Sequence, residues 1–135
     1  MLNIRPLTYE DYDDILTGWW ADWGWTAPTR DFLPDDGIGG IMVLDGDVPV
    51  CAGYMYATNS RVAWVDWIVS NKQYRKKPQR GEAIKLLVST LSEISKNLGN
   101  KYCYALIKHQ SLIETYKELG YTKGDEYVGE MIKII

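Results

Sequence analysis

At 135 residues, with a formal net charge of −3, the chain is long enough to bury one core and too short for two domains, so residues 1–135 read as a single domain. Its one histidine and two cysteines, Cys51 and Cys103, have no metal-ligand spacing, which excludes a zinc module. No apolar run is long enough to cross a membrane, and Met-Leu-Asn-Ile-Arg-Pro lacks a signal-peptide pattern, so the expected setting is cytoplasmic, with both thiols free and buried.

Asn3 to Pro6 predicts a short first strand. Thr8, with Asp11 in the capping-box position, opens a helix. Tyr12, Ile15, Leu16, Trp19, Trp20 and Trp23 then recur at helical spacing, and that stripe reads as core. Gly24 ends the helix, and Trp25 to Gly40 is irregular, punctuated by Pro28, Pro34 and Asp35-Asp36-Gly37. Here four tryptophans (Trp19, Trp20, Trp23, Trp25) adjoin an acidic edge, a combination suited to a cationic or aromatic amine. Ile41–Leu44 and Val48–Tyr56 form a hairpin through Asp45-Gly46-Asp47, and Asn59-Ser60 turns into a third antiparallel strand, Arg61–Ser70.

After that strand, six of the fifteen basic residues crowd between Lys72 and Lys85. A helix follows, from Gly81 to Leu98, with Ile84, Leu87, Val88, Leu91, Ile94 and Leu98 on one face and Gly99 at its end. A strand that feeds a helix through a cationic loop is a candidate phosphate cradle, because the helix N-terminus offers free N–H groups and positive dipole charge. Tyr102–Ile107 is the next strand, parallel to Arg61–Ser70 because a helix separates them. Ser111 and Glu114 cap a short helix, Leu112–Leu119, and Tyr121–Lys123 and Tyr127–Ile135 predict a last hairpin. The fold class is therefore α+β: a mixed sheet of about six to seven strands in a three-layer α/β/α sandwich. Two neighbouring parallel strands near its middle leave a cleft for an extended ligand.

Charge is divided along the chain. Residues 1–50 carry ten acidic and two basic side chains, and the remainder thirteen basic and eight acidic, which fits two ligands of opposite sign. The basic cluster is too short and the total charge too negative to favour nucleic acid.

Element order and two local segments resemble the GCN5-related N-acetyltransferase (GNAT) family along essentially the whole chain, as a small, divergent member of a kind familiar among phage-encoded proteins. Tyr116-Lys-Glu-Leu-Gly-Tyr121 looks like the family's Tyr-x-x-x-Gly-Phe/Tyr segment. The resemblance implies that Tyr116 protonates the departing coenzyme A thiolate. It also implies that backbone near Ile68 and Val69 meets the acyl carbonyl of acetyl-CoA, and that Arg75, Lys76, Lys77, Arg80, Gly81, Glu82 and Ala83 surround the pyrophosphate. The usual loop is Arg/Gln-x-x-Gly-x-Gly/Ala. Here Pro78 stands three before Gly81, so the loop is out of register and lacks one backbone donor. His109 takes the place of a family asparagine and would contact the cofactor arm.

With an amine acceptor, the reaction needs a proton acceptor and stabilisation of an oxyanion, but no covalent intermediate. Asp66, between Trp64 and Trp67, is the candidate base, sharing a strand face with Trp64 and Ile68. Trp20, Trp23, Trp25, Asp35, Asp36, Tyr54 and Trp64 are the candidate acceptor-binding residues, with Asp31–Asp36 facing the acceptor. The acceptor is expected to be a small molecule or peptide amine and the protein a monomer or homodimer. The alternative is a catalytically weak GNAT-fold protein that acts as a binding module through Trp19–Trp25.

Overall fold

Five strands lie side by side in chain order in the computed structural model, which describes residues 1–135. They are β1 (Leu2–Pro6), β2 (Gly40–Asp45), β3 (Val48–Tyr56), β4 (Val62–Ser70) and β5 (Tyr102–Tyr104). The first four pair antiparallel, and Gly46, at φ +60°, makes the tight return between β2 and β3. β5 is parallel to β4, as a helical crossover requires.

Each face of the sheet carries a helical layer. On one side α1 (Tyr9–Asp11) and α2 (Thr17–Asp22) are joined by a π-helical turn over Tyr12–Leu16. Arg5 grips Asp11 with two nitrogens at 2.7 and 2.9 Å while the Thr8 N–H donates to the same carboxylate at 2.7 Å, so the expected acidic cap holds the helix start onto β1. Leu16, Trp19, Trp20 and Leu33 pack there against Met42, Ala52, Tyr54 and Val69. On the other side α3 (Gln79–Asn97) and α4 (Gln110–Glu118) bury Ala83, Leu87, Val88, Leu91 and Tyr116 against Val43, Val50, Cys51 and Val65. Both cysteines are free, and burial pushes the Cys51 thiol up to about 12. No helix is long and apolar enough to cross a membrane.

Two expectations fail at the C-terminal end of the chain. β5 stops at Tyr104 instead of Ile107, and the last hairpin does not form, so the sheet has five strands where six to seven are expected. The turn signal is present and is closed locally by Lys123 on Glu126 at 2.8 Å. A hairpin needs more than its turn, however, and a three-residue β5 offers little edge to pair with. Tyr121 stays tied to Ser92 (2.7 Å) and Tyr127 to Tyr104 (3.1 Å), after which Val128, Met131, Ile134 and Ile135 are exposed.

Candidate functional site

The site begins with a break in β4. Ala52 pairs with Val69 and Tyr54 with Asp66, so Gly53 alone faces both Trp67 and Ile68. That extra residue is a β-bulge, and it holds Trp67 at φ +57°, a conformation that L-residues with large side chains avoid. Gly53 makes the bulge possible. A Cβ there would lie 2.5 Å from Ile68 Cδ1 and near Leu91 and Leu87. The bulge also corrects the strand-face expectation for Asp66. Ile68 turns to the α3 side with Val65, while Trp67 turns to the α2 side, edge-on to Trp20 at 6.1 Å and Phe32 at 5.9 Å.

Pairing between β4 and β5 ends at Trp64 and Tyr104, whose rings meet at 4.5 Å. From Val65 to Ser70, β4 therefore has no strand partner on that side, and a gap opens between it and residues 105–109. Asp66 and Tyr116 both lie along this stretch, Asp66 near enough for its charge to act on the Tyr116 phenol. The Asp66 carboxylate accepts the Trp67 N–H at 2.9 Å and faces the Leu106 N–H. Burial nevertheless pushes its pKa up, and the Glu130 charge adds to the rise. Tyr116, 2% exposed, donates to the Val65 carbonyl at 3.0 Å. Burial and the nearby Asp66 drive its phenol well above the usual tyrosine range, so it stays protonated.

The cationic loop leads from the end of β4 into α3. Asn71 accepts the Gln73 N–H at 3.1 Å, and Tyr74 is buried with its hydroxyl on Asp45. Pro78 caps α3, which starts at Gln79, two residues before the expected Gly81. Arg75, Lys76, Lys77, Gly81 and Glu82 are exposed around this start, whereas Ala83 is buried in the core. A Cβ on Gly81 would meet nothing within 4 Å, so the surface there is open. Arg80 instead turns inward. Its guanidinium lies 5.7 Å from the Trp23 ring, and its Nε is buried without a hydrogen-bond partner. An orphaned cationic donor at a helix N-terminus suits an anion.

The candidate acceptor residues separate. Trp20 is 1% exposed and Tyr54 fully buried, and both pack in the α2-side core, not at an acceptor surface. Tyr54 instead pins the irregular loop by donating to the Gly37 carbonyl at 2.9 Å. Asp35 and Asp36 are exposed on that loop at φ 51° and 53°, but Phe32 rather than either aspartate carries the loop's contact with the bulge. Trp64 is half-buried beside Asp66. Trp23 and Trp25 lie at the far end of the gap, stacked at 5.9 Å, and Trp25 stacks in turn on His109 at 5.5 Å. Trp19 and Trp20 are core, so the binding-module alternative is left with only Trp23 and Trp25 from its segment. Sequence reasoning misses Ser70, whose carbonyl anchors Trp23, and Lys72, over the Trp23 ring at 5.3 Å. It also misses Tyr127 and Glu130, which the C-terminal segment brings toward Tyr104 and Asp66.

No protein-family model and no curated protein sequence matches the chain. Solved structures do. Glucosamine-6-phosphate N-acetyltransferase from Arabidopsis thaliana is similar over 98% of this chain and 99% of that one, at 14% identity and TM-score 0.70. AAC(6')-Iy, solved with the bisubstrate analog CoA-S-monomethyl-acetylneamine, matches over 99% of both chains at 12% identity and TM-score 0.68. N-acetylglutamate synthase from Neisseria gonorrhoeae, complexed with coenzyme A and N-acetyl-glutamate, matches 93% of this chain and 29% of its own, at 12% identity and TM-score 0.71. At such identities the likeness is one of fold, and the fold is that of the GNAT acetyltransferases.

Proposed function

We propose that this chain, having the GNAT fold, is an acyl-CoA-dependent N-acetyltransferase that moves an acetyl group to a primary amine by direct attack. One observation carries the reading: β4 loses its β5 partner after Trp64, and Asp66 and the Tyr116 hydroxyl, which sits on the Val65 carbonyl, lie along the stretch left unpaired. The residues at the start of α3 fit the anionic end of the donor. Arg80 has an unpaired buried donor, Lys76 and Lys77 supply charge, and the first turn of α3 is open at Gly81.

Acetyl-CoA, when bound, supplies an activated thioester. The chain's own groups do the rest. On the side away from β3, β4 has no strand partner beyond Trp64, so backbone N–H groups on that side, at the bulge about Ile68, are the donors for charge building on the acyl oxygen. Val69, paired with Ala52 of β3, holds this stretch in place. Asp66, whose burial makes it a better base than an exposed aspartate, takes the proton that the attacking amine must lose, directly or through water. Tyr116 acts as a hydrogen-bond donor to the leaving sulfur by turning its one hydroxyl proton away from the Val65 carbonyl that accepts it in the structure. Its burial makes complete proton transfer uphill, which modifies the acid role implied by the family resemblance. Trp64, stacked edge-on with Tyr104 beside Asp66, is positioned to cover the acceptor side.

Calorimetric titration of acetyl-CoA and a screen of cationic amines test the proposal together. We expect micromolar binding that Arg80→Ala weakens, and a Tyr116→Phe variant that binds normally but turns over at least about tenfold more slowly. A wild-type protein that binds no acetyl-CoA overturns it.

A further inference from the structure

Three rings cross the mouth of the gap. Trp23 donates from Nε1 to the carbonyl of Ser70, the last residue of β4, at 2.8 Å. Trp25 lies on Trp23 at 5.9 Å with an interplanar angle of 22°. His109, the residue before α4, lies on Trp25 at 5.5 Å and the same angle. The row therefore runs from one wall of the gap, the end of β4, to the other, the segment between β5 and α4. Trp23 is fixed by packing against the α2-side core and by Lys72 and Arg80 over its ring. Trp25 and His109 belong to neither core. Trp25 is 38% exposed and His109 is exposed, and the His109 side chain makes no capping hydrogen bond to α4. Neither core packing nor helix capping accounts for this stack.

Its placement assigns it a role. We propose that Trp25 and His109 form a strap that closes over the extended arm of acyl-CoA, making Trp25 a donor-side rather than an acceptor-side residue. The inference rests on the acetyltransferase reading, since it needs an acyl-CoA arm in the gap. The arm is a narrow chain of methylenes and amides, so flat ring faces cover its apolar parts and His109 offers a hydrogen bond to an amide. The rings are in contact, so nothing threads between them and the arm passes beneath, between strap and β4. Entry then needs Trp25 to swing away. The backbone here is held, the Gly24 N–H by the Ala21 carbonyl at 2.9 Å and the Trp25 N–H by the Trp20 carbonyl at 2.8 Å, so the movement is a rotation of the partly exposed Trp25 side chain, while Trp23 stays anchored.

The test separates the arm from the nucleotide. Binding of acetyl-CoA and of adenosine 3′,5′-bisphosphate, which has the nucleotide end without the arm, is measured for the wild type, Trp25→Ala, Trp25→Phe and His109→Ala. We expect Trp25→Ala to weaken acetyl-CoA about tenfold and leave the bisphosphate unchanged, with Trp25→Phe restoring most of the loss. His109→Ala should do the same, and the double alanine variant should lose little more than either single one, because the two rings act as a unit. Equal loss for both ligands, or no loss for either, overturns the strap while the acetyltransferase reading stands. A wild type that binds the bisphosphate but gains nothing from the arm also overturns the strap. Failure of the wild type to bind either ligand overturns both.

Discussion

Asp66 carries the heaviest chemical demand of any single residue, because it is a carboxylate held partly out of water beside β4. Burial raises its pKa, the Glu130 charge raises it further, and the N–H groups of Trp67 and Leu106 only partly offset the rise. The sign of the linkage follows. A group whose folded pKa lies above its unfolded value favours the folded state in acid, and that contribution is lost as pH rises through the folded pKa. Asp66→Asn should therefore have a higher Tm than the wild type near neutral pH, and the difference should narrow as pH falls through the carboxylate range. The same variant should lose most of its acetyl transfer. Thermal melts across pH, paired with rate measurements, check both halves. A variant less stable than the wild type near neutral pH would make Asp66 a structural acceptor only.

Among the elements, β4 determines whether there is a site, and the decisive residue stands on its neighbour. Gly53 in the interior of β3 is the one sequence signal for the bulge, since glycine within a strand marks a bulge or close backbone approach. The period-two reading of β4 passes over it and so puts Ile68 on the wrong face. Gly53→Ala would set its methyl group 2.5 Å from Ile68 Cδ1, with Leu87 and Leu91 closing the way out. We expect a loss of about 1–3 kcal/mol in stability by overpacking. If the bulge shapes the gap, acetyl-CoA affinity should fall as well, beyond what partial unfolding explains. Denaturant melts and calorimetry on the folded fraction measure the two effects separately. Unchanged affinity in a destabilised Gly53→Ala would detach the gap from the bulge.

At the scale of the molecule, what was legible in the sequence followed periodicity and turn chemistry. The three-layer order, the β2–β4 meander, the parallel β5 and the helix after the basic loop are all written in apolar spacing and in Gly46, Gly99 and Gly120. What the sequence concealed depends on contacts between distant segments. The inward turn of Arg80, the burial of Trp20 and Tyr54, and the meeting of Trp25 with His109 have no local pattern. The last hairpin had its turn signal but lacked a long enough partner edge. The uneven charge remains a property of the whole chain, and its consequence is kinetic. The exposed Arg75, Lys76 and Lys77 at the start of α3 should draw in the polyanionic donor from a distance, against a first half that repels it. Screening reaches about 10 Å at 0.1 M salt and about 3 Å at 1 M, so association should slow several-fold across that range while dissociation changes little. Lys76→Glu with Lys77→Glu should slow association at low salt and flatten its salt dependence. Stopped-flow tryptophan fluorescence reads both constants. Association that ignores salt would remove the loop from donor capture.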